Sequence, residues 1–146
     1  MSPIDIAVVA RKLAQIEERL DLLRPVGVLA PDAYRADTIR KKGAEKLLQE
    51  LINAAIDLNF HLLVQSGEPA PKDSFASFAD AARIGGYSAA LAKRAAPFAG
   101  LRNRLVHEYE TLDDSKVLAA IREAQEVFPA ILKGVREKFL PKSGGA

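Results

Sequence analysis

The sequence predicts an all-α fold, one bundle of helices, on three observations. Apolar residues recur at alternating steps of three and four along several stretches, the period of an amphipathic helix. No stretch alternates apolar and polar residues with β-branched enrichment, so no strand is expected. At 146 residues, 49% of them hydrophobic and 27% charged, the chain suits a single globular domain and is too short for two ordinary ones.

The first helix starts at Ser2-Pro3-Ile4-Asp5, with Ser2 as cap, Pro3 in the first turn and Asp5 completing the capping box. Val9, Leu13, Ile16, Leu20 and Leu23 form its apolar seam, and Pro25 should end it. A connector with Pro25, Gly27 and Pro31 leads into a long second helix from about Asp32 to Ser66, with Leu47, Leu51, Ala54, Leu58 and Leu62 as its seam. Gly67-Glu68-Pro69-Ala70-Pro71 stops it.

A short third helix spans about Ser74 to Ile84 and ends at Gly85-Gly86. Ser88 caps a fourth segment reaching about Glu110, which Pro97 and Gly100 should bend or interrupt. Asp113-Asp114-Ser115 caps a final helix with the seam Val117, Ile121, Ala124, Phe128, Ile131 and Val135, kinked at Pro129. Residues 1–140 form the domain, helices one, two, four and five are its main members, and residues 141–146 are a flexible tail.

Composition removes several function classes. Zero cysteines exclude disulfides and thiolate metal sites and fit a reducing compartment. Twenty-one Lys and Arg against 19 Asp and Glu leave a net charge of +2, no strong global signal for nucleic acid. The amino terminus lacks a secretory pattern and no apolar run approaches membrane length, so a cytoplasmic protein without a membrane partner is expected. Two scattered histidines, His61 and His107, lack ligand spacing, so no metal site is expected.

The chemistry concentrates in Arg102-Asn103-Arg104-Leu105-Val106-His107-Glu108-Tyr109, where a guanidinium, an imidazole and a phenol fall together. On an ideal helix Arg102 and Tyr109 lie within about 20° of each other, beside the stripe of Phe98, Leu101 and Leu105, while His107 lies about 140° from Arg102. Either the helix deforms near its end or a second copy of the chain completes the site across a two-fold axis; the latter predicts a homodimer. Metal-free RNA cleavage needs a proton acceptor at the ribose 2′-hydroxyl and positive charge at the phosphate, and His107 and Arg102 are groups of those types. Asn103 or Tyr109 could orient the phosphate. By spacing alone, His107 and Arg104 also suit a helix C-terminus as cations and Tyr109 suits the core edge. The runs Arg40-Lys41-Lys42 and Lys93-Arg94 read as solvated helix faces before an RNA track.

The Arg-x4-His-x-Tyr pattern resembles the signature of the HEPN ribonuclease superfamily, and in particular its HepT-like toxins. Further blocks carry the likeness: Ile6 to Leu23, Lys46 to Gly67, and Pro71 through Gly85-Gly86 to Phe98-Ala99-Gly100-Leu101-Arg102-Asn103 and the His-Glu-Tyr end. The segment Pro25 to Asp37 departs from it. The resemblance implies an up-and-down HEPN-type bundle of four to five helices forming a symmetric homodimer. It implies a metal-independent endoribonuclease toxin of a two-gene module, needing no cofactor, with Arg102 and His107 catalytic and Asn103 and Asp57 supporting. Its partner would be a minimal nucleotidyltransferase antitoxin that transfers AMP to Tyr109. By spacing, Asp57 and His61 also suit an ordinary helix-surface pair. The alternative is a non-catalytic helical partner that binds nucleotide or the nucleotidyltransferase.

Overall fold

A computed structural model describes residues 4–140, apart from the side chain of Tyr109. The proposed Ser2-Pro3 cap and the 141–146 tail lie outside those residues. The described residues form seven α-helices and one 3₁₀ turn, with no strand among them. These are α1 (Ile6–Gly27), α2 (Pro31–Ala36), α3 (Thr38–Gln65), α4 (Ser74–Arg83), α5 (Ala89–Ala95), α6 (Pro97–His107) and α7 (Asp114–Phe139), with the turn at Tyr109–Thr111.

Side-chain caps set most of the boundaries. Asp5 itself caps α1, accepting from the amides of Ala7 and Val8 at 3.0 and 3.3 Å, where a box completed by Asp5 was expected. Pro25 does not end α1, which runs on to Gly27. The reason lies across the bundle. Val26 and Gly27 are buried, and Arg122 of α7 donates to the carbonyls of Gly27 and Leu29 at 2.7 and 2.6 Å, satisfying the helix end that Pro25 weakens. The expected second helix divides at Asp37, whose extended backbone ends α2 and whose carboxylate caps α3 through the Arg40 amide at 3.0 Å.

Ser88 caps α5 as expected, and Pro97 divides the fourth segment into α5 and α6; Gly100 is accommodated without a break. α6 stops at His107, short of the expected Glu110. α7 stays helical through Pro129.

The core is built from the expected seams. Val9, Leu13, Ile16, Leu20 and Leu23 of α1 and all six seam residues of α7 are buried, and so are Leu51, Ala54, Leu58 and Leu62 of α3; Leu47 is only partly covered. α1 packs between α3 and α7, and α6 lies against α3. The rings of Phe98 and Phe128, with centroids 5.1 Å apart, join α6 to α7. By length and composition α3 is the one described helix apolar enough to cross a membrane, contrary to the expectation that no run reaches that length; 56% of its apolar window is packed inside the bundle, as in a core helix.

One buried polar chain crosses this core. The Tyr87 hydroxyl donates to Asn59 Oδ1 at 2.8 Å, Asn59 Nδ2 to Ser77 Oγ at 3.1 Å, and Ser77 Oγ to the Ser74 carbonyl at 2.6 Å. The chain ties α3 to the first turn of α4 and to the loop between α4 and α5, with every member satisfied, as low-dielectric surroundings demand. Burial raises the Tyr87 phenol pKa, and the bond to Asn59 opposes the rise in part.

This packing makes three substitutions informative. Tyr87→Phe strands the Asn59 carbonyl in the core, so denaturant unfolding should show a loss of about 1–3 kcal/mol. The loop carrying Tyr87 rests on Gly134 of α7, where an added Cβ would stand 2.8 Å from the Gly86 carbonyl oxygen and 3.3 Å from Tyr87 Cβ. Gly134→Ala should therefore cost about 1–3 kcal/mol. Gly43→Ala in α3, with nothing within 4 Å of the new carbon, should gain about 0.5–1 kcal/mol in the same assay. A neutral Gly134→Ala would refute the close-packing account.

Candidate active site on α6

Arg102 is half-buried in the crease between α6, α3 and the start of α4. Its Nη1 donates to Asn53 Oδ1 of α3 at 3.0 Å, its Nε to Asn103 Oδ1 at 3.1 Å, and its Nη2 reaches Ser74 Oγ at 3.5 Å. The apolar seam of α6, buried at Phe98, Leu101 and Leu105, presses Arg102 against these neighbours. All three acceptors are neutral. The guanidinium is thus oriented without being neutralised, and it keeps its charge for an incoming anion. Ser74 also holds the end of the buried Tyr87–Asn59–Ser77 chain through its carbonyl, so the core stiffens one wall of the crease.

His107 is exposed in the last turn of α6, and among the described residues nothing bonds its imidazole. It stands about 140° from Arg102 around the helix. Tyr109 does not continue the Arg102 stripe, as an unbroken helix would require. The backbone leaves the α-helix at Glu108 (φ −131°, ψ 31°), and Tyr109 opens the 3₁₀ turn that follows. The Glu108 amide still closes onto the Arg104 carbonyl at 2.8 Å, and the Thr111 amide onto Glu108 at 3.0 Å. The helix thus deforms at its end, but beyond His107, and the change moves Tyr109 without bringing His107 round to Arg102.

Asn103, which the helix spacing puts on the side of His107, turns its amide oxygen to accept from Arg102 Nε. Asp57 stands apart from this group. It is exposed and pairs with Lys12 of α1 at 3.6 Å, one helical turn beyond Asn53, and it does not pair with His61. His61 is partly covered, with a buried Nε2 that has no partner among the described residues. Among those residues no three His, Asp or Glu side chains group as metal ligands.

Sequence reasoning missed Asn53 and Ser74. A polar residue within the otherwise buried stretch from Leu51 to Ala55 was the available signal for Asn53. Nothing in the sequence singles out Ser74 from other residues in the first turn of a helix.

Two clefts open along α3, one at this level toward α1 and one nearer the start of α3 toward α6. One, of about 180 Å³, is lined by Lys12, Gln15, Arg19, Glu50, Asn53 and Asp57, and its cations are matched by Lys12–Asp57 at 3.6 Å and Arg19–Glu50 at 3.4 Å. The other, of about 240 Å³, lies between α3 and Leu105 of α6, with Lys42, Glu45, Lys46 and Gln49 as its α3 wall.

Residues 14–135 match the model of the family described as "Ribonuclease HepT-like". A tRNA nuclease HepT from Aphanizomenon flos-aquae is 32% identical over 140 residues, covering 96% of this chain and 95% of the relative. Among solved structures, the chain is similar in fold to the tri-AMPylated Shewanella oneidensis HEPN toxin in complex with MNT antitoxin. The TM-score is 0.80 at 21% identity, covering 90% of this chain and 98% of that one. A mutant MntA–HpeT toxin–antitoxin complex matches with a TM-score of 0.79 at 23% identity, over 90% and 99% of the two chains. With an Arg-x4-His-x-Tyr motif set on a HEPN-type bundle and a family match over most of its length, the chain belongs to the HepT-like ribonuclease family.

Proposed function

We propose that this HepT-like ribonuclease is the toxin of a two-gene module. In this reading it cleaves RNA without a metal ion at a site shared by two copies of the chain, and a nucleotidyltransferase partner silences it by adding AMP to Tyr109. The carrying observation is the separation of Arg102 from His107. Arg102 is held in the crease by Asn53 and Ser74, while His107 projects from the exposed end of the same helix. A two-fold axis near the end of α6 lets the arginine of one copy meet the imidazole of the other.

In such a site the His107 imidazole takes the proton of a ribose 2′-hydroxyl. The freed oxygen bonds to the adjacent phosphorus, the bond from phosphorus to the 5′-oxygen breaks, and that oxygen leaves with a proton drawn from water, which the His107 imidazolium then replaces. Arg102 stabilises the negative charge that grows on the phosphate oxygens, helped by Asn103. Asp57 serves at a distance, holding α1 against α3 through Lys12. The name of the 32%-identical relative makes tRNA the substrate to test first. Support for the module comes from the two similar folds, each solved with an antitoxin, one of them AMP-modified. Tyr109 lies on the turn just past His107, where an added adenylate brings a phosphodiester anion and bulk to the motif end of α6.

Three outcomes test this. His107→Ala and Arg102→Ala should each lower cleavage of purified tRNA by about 10²–10⁴-fold. Mixing the two inactive variants and letting subunits exchange should restore activity, because one of the two shared sites in a mixed dimer is intact. A mixture as inactive as its components would place the site within one chain. Incubation with the cognate nucleotidyltransferase and ATP should add the mass of adenylate to the unaltered protein and none to Tyr109→Phe; equal labelling of both would remove Tyr109 as acceptor.

A further inference from the structure

We propose that Lys46 and Gln49, with Lys42 at the far rim, form a subsite on α3 for the phosphate backbone of single-stranded RNA next to the scissile bond. The inference rests on the ribonuclease reading of Arg102. Lys42, Lys46, Gln49 and Asn53 recur at steps of four, three and four on α3. They fall within about 40° of Asn53 around the helix axis, making one polar stripe whose last member holds the Arg102 guanidinium.

The stripe runs toward the motif end of α6. Arg102 sits at the level of Asn53, and Leu105, three residues later, sits at the level of Lys42, Glu45, Lys46 and Gln49, so α6 runs antiparallel to α3. A strand whose phosphate rests on Arg102 therefore meets Lys46 about 10 Å further along the helix axis. Leu105 closes the cleft of about 240 Å³ from below, giving an apolar floor beneath a polar wall.

Charge pairing separates this flank from the rest of the site's surroundings. On the side of α3 that faces α1, the cations Lys12 and Arg19 face Asp57 and Glu50. Lys41, next in sequence to the stripe, is committed to Asp114 at 3.2 Å. Lys42 reaches the largely buried carboxylate of Glu45 at 3.5 Å, which anchors the far rim. Lys46 is exposed and faces no carboxylate within ion-pair distance among the described residues, and Gln49 beside it offers an amide donor. An unneutralised ammonium, an amide and the guanidinium of Arg102 in line suit successive phosphodiesters, each carrying one negative charge and spaced along a flexible strand.

The test measures binding of a labelled single-stranded RNA to the full chain carrying His107→Ala, across a salt series, with Lys46→Ala, Gln49→Glu and the control Lys133→Ala added in turn. Lys133 is exposed on α7, away from the stripe. Lys46→Ala should weaken binding and lower the slope of log affinity against log salt by about 0.7, the loss of one phosphate contact to a single strand. Gln49→Glu should weaken binding further at low salt, and Lys133→Ala should change neither. In the cleaving protein Lys46→Ala should raise KM with kcat kept. An unchanged slope in a protein that still binds and cleaves RNA overturns the subsite alone. Loss of affinity together with loss of the dimer by sedimentation also overturns it, assigning the stripe to the interface between copies. A parent protein that neither binds nor cleaves RNA overturns the ribonuclease reading, and the subsite with it.

Discussion

A guanidinium at the edge of an apolar seam must be given acceptors, and the candidate site follows from how this chain meets that demand. Phe98, Leu101 and Leu105 bury one face of α6, which brings Arg102 down onto α3 and α4. An aspartate at position 53 would have answered the charge with a salt bridge; Asn53, Ser74 and Asn103 answer it with neutral oxygens. The difference is functional. A paired guanidinium is spent, whereas one held by amides and a hydroxyl is fixed in direction and still charged.

The rigidity of that arrangement comes from behind. Ser74 opens α4, and α4 is tied to α3 through Ser77, Asn59 and Tyr87, a chain of hydrogen bonds inside the core. Because Gly134 leaves room for the loop that carries Tyr87, α7 takes part in placing the chain as well. A rigid wall on the arginine side contrasts with the open end of α6, where the helix gives way to a 3₁₀ turn after His107. One helix therefore carries a fixed cation at its buried side and an accessible imidazole at its exit. That division suits a site closed by a second molecule, whether another copy of the chain or a modifying partner.

Much of this was legible in the residues. The seams of α1 and α7 were read off the three-and-four spacing and are buried throughout, because a helix that must hide one stripe leaves that stripe in its sequence. The motif from Arg102 to Tyr109 was found for the opposite reason, as polar chemistry standing out from an alanine- and leucine-rich background. The errors fell at helix ends. Pro25 looked like a stop because the arginine that caps the carbonyls beyond it, Arg122, lies 95 residues from Gly27 in the chain. Asp37 looked like part of a continuous helix because a residue that ends one helix and caps the next has the same identity as one inside either.

Asp57 shows the same limit within the site. Its spacing to His61 suggested a local pair and the family resemblance a supporting acid, yet its partner is Lys12 on another helix. Periodicity, composition and motif determined the helical class, the faces turned to the core and the family to which the chain belongs, since each depends on residues close in sequence or on a pattern within one segment. Which oxygens receive Arg102, where α6 ends relative to His107 and Tyr109, and which lysine on α3 is left without a carboxylate were decided only by tertiary packing. Those outcomes depend on side chains far apart in the chain, brought together when the apolar seams are buried against one another, and no local pattern encodes a partner that another helix supplies.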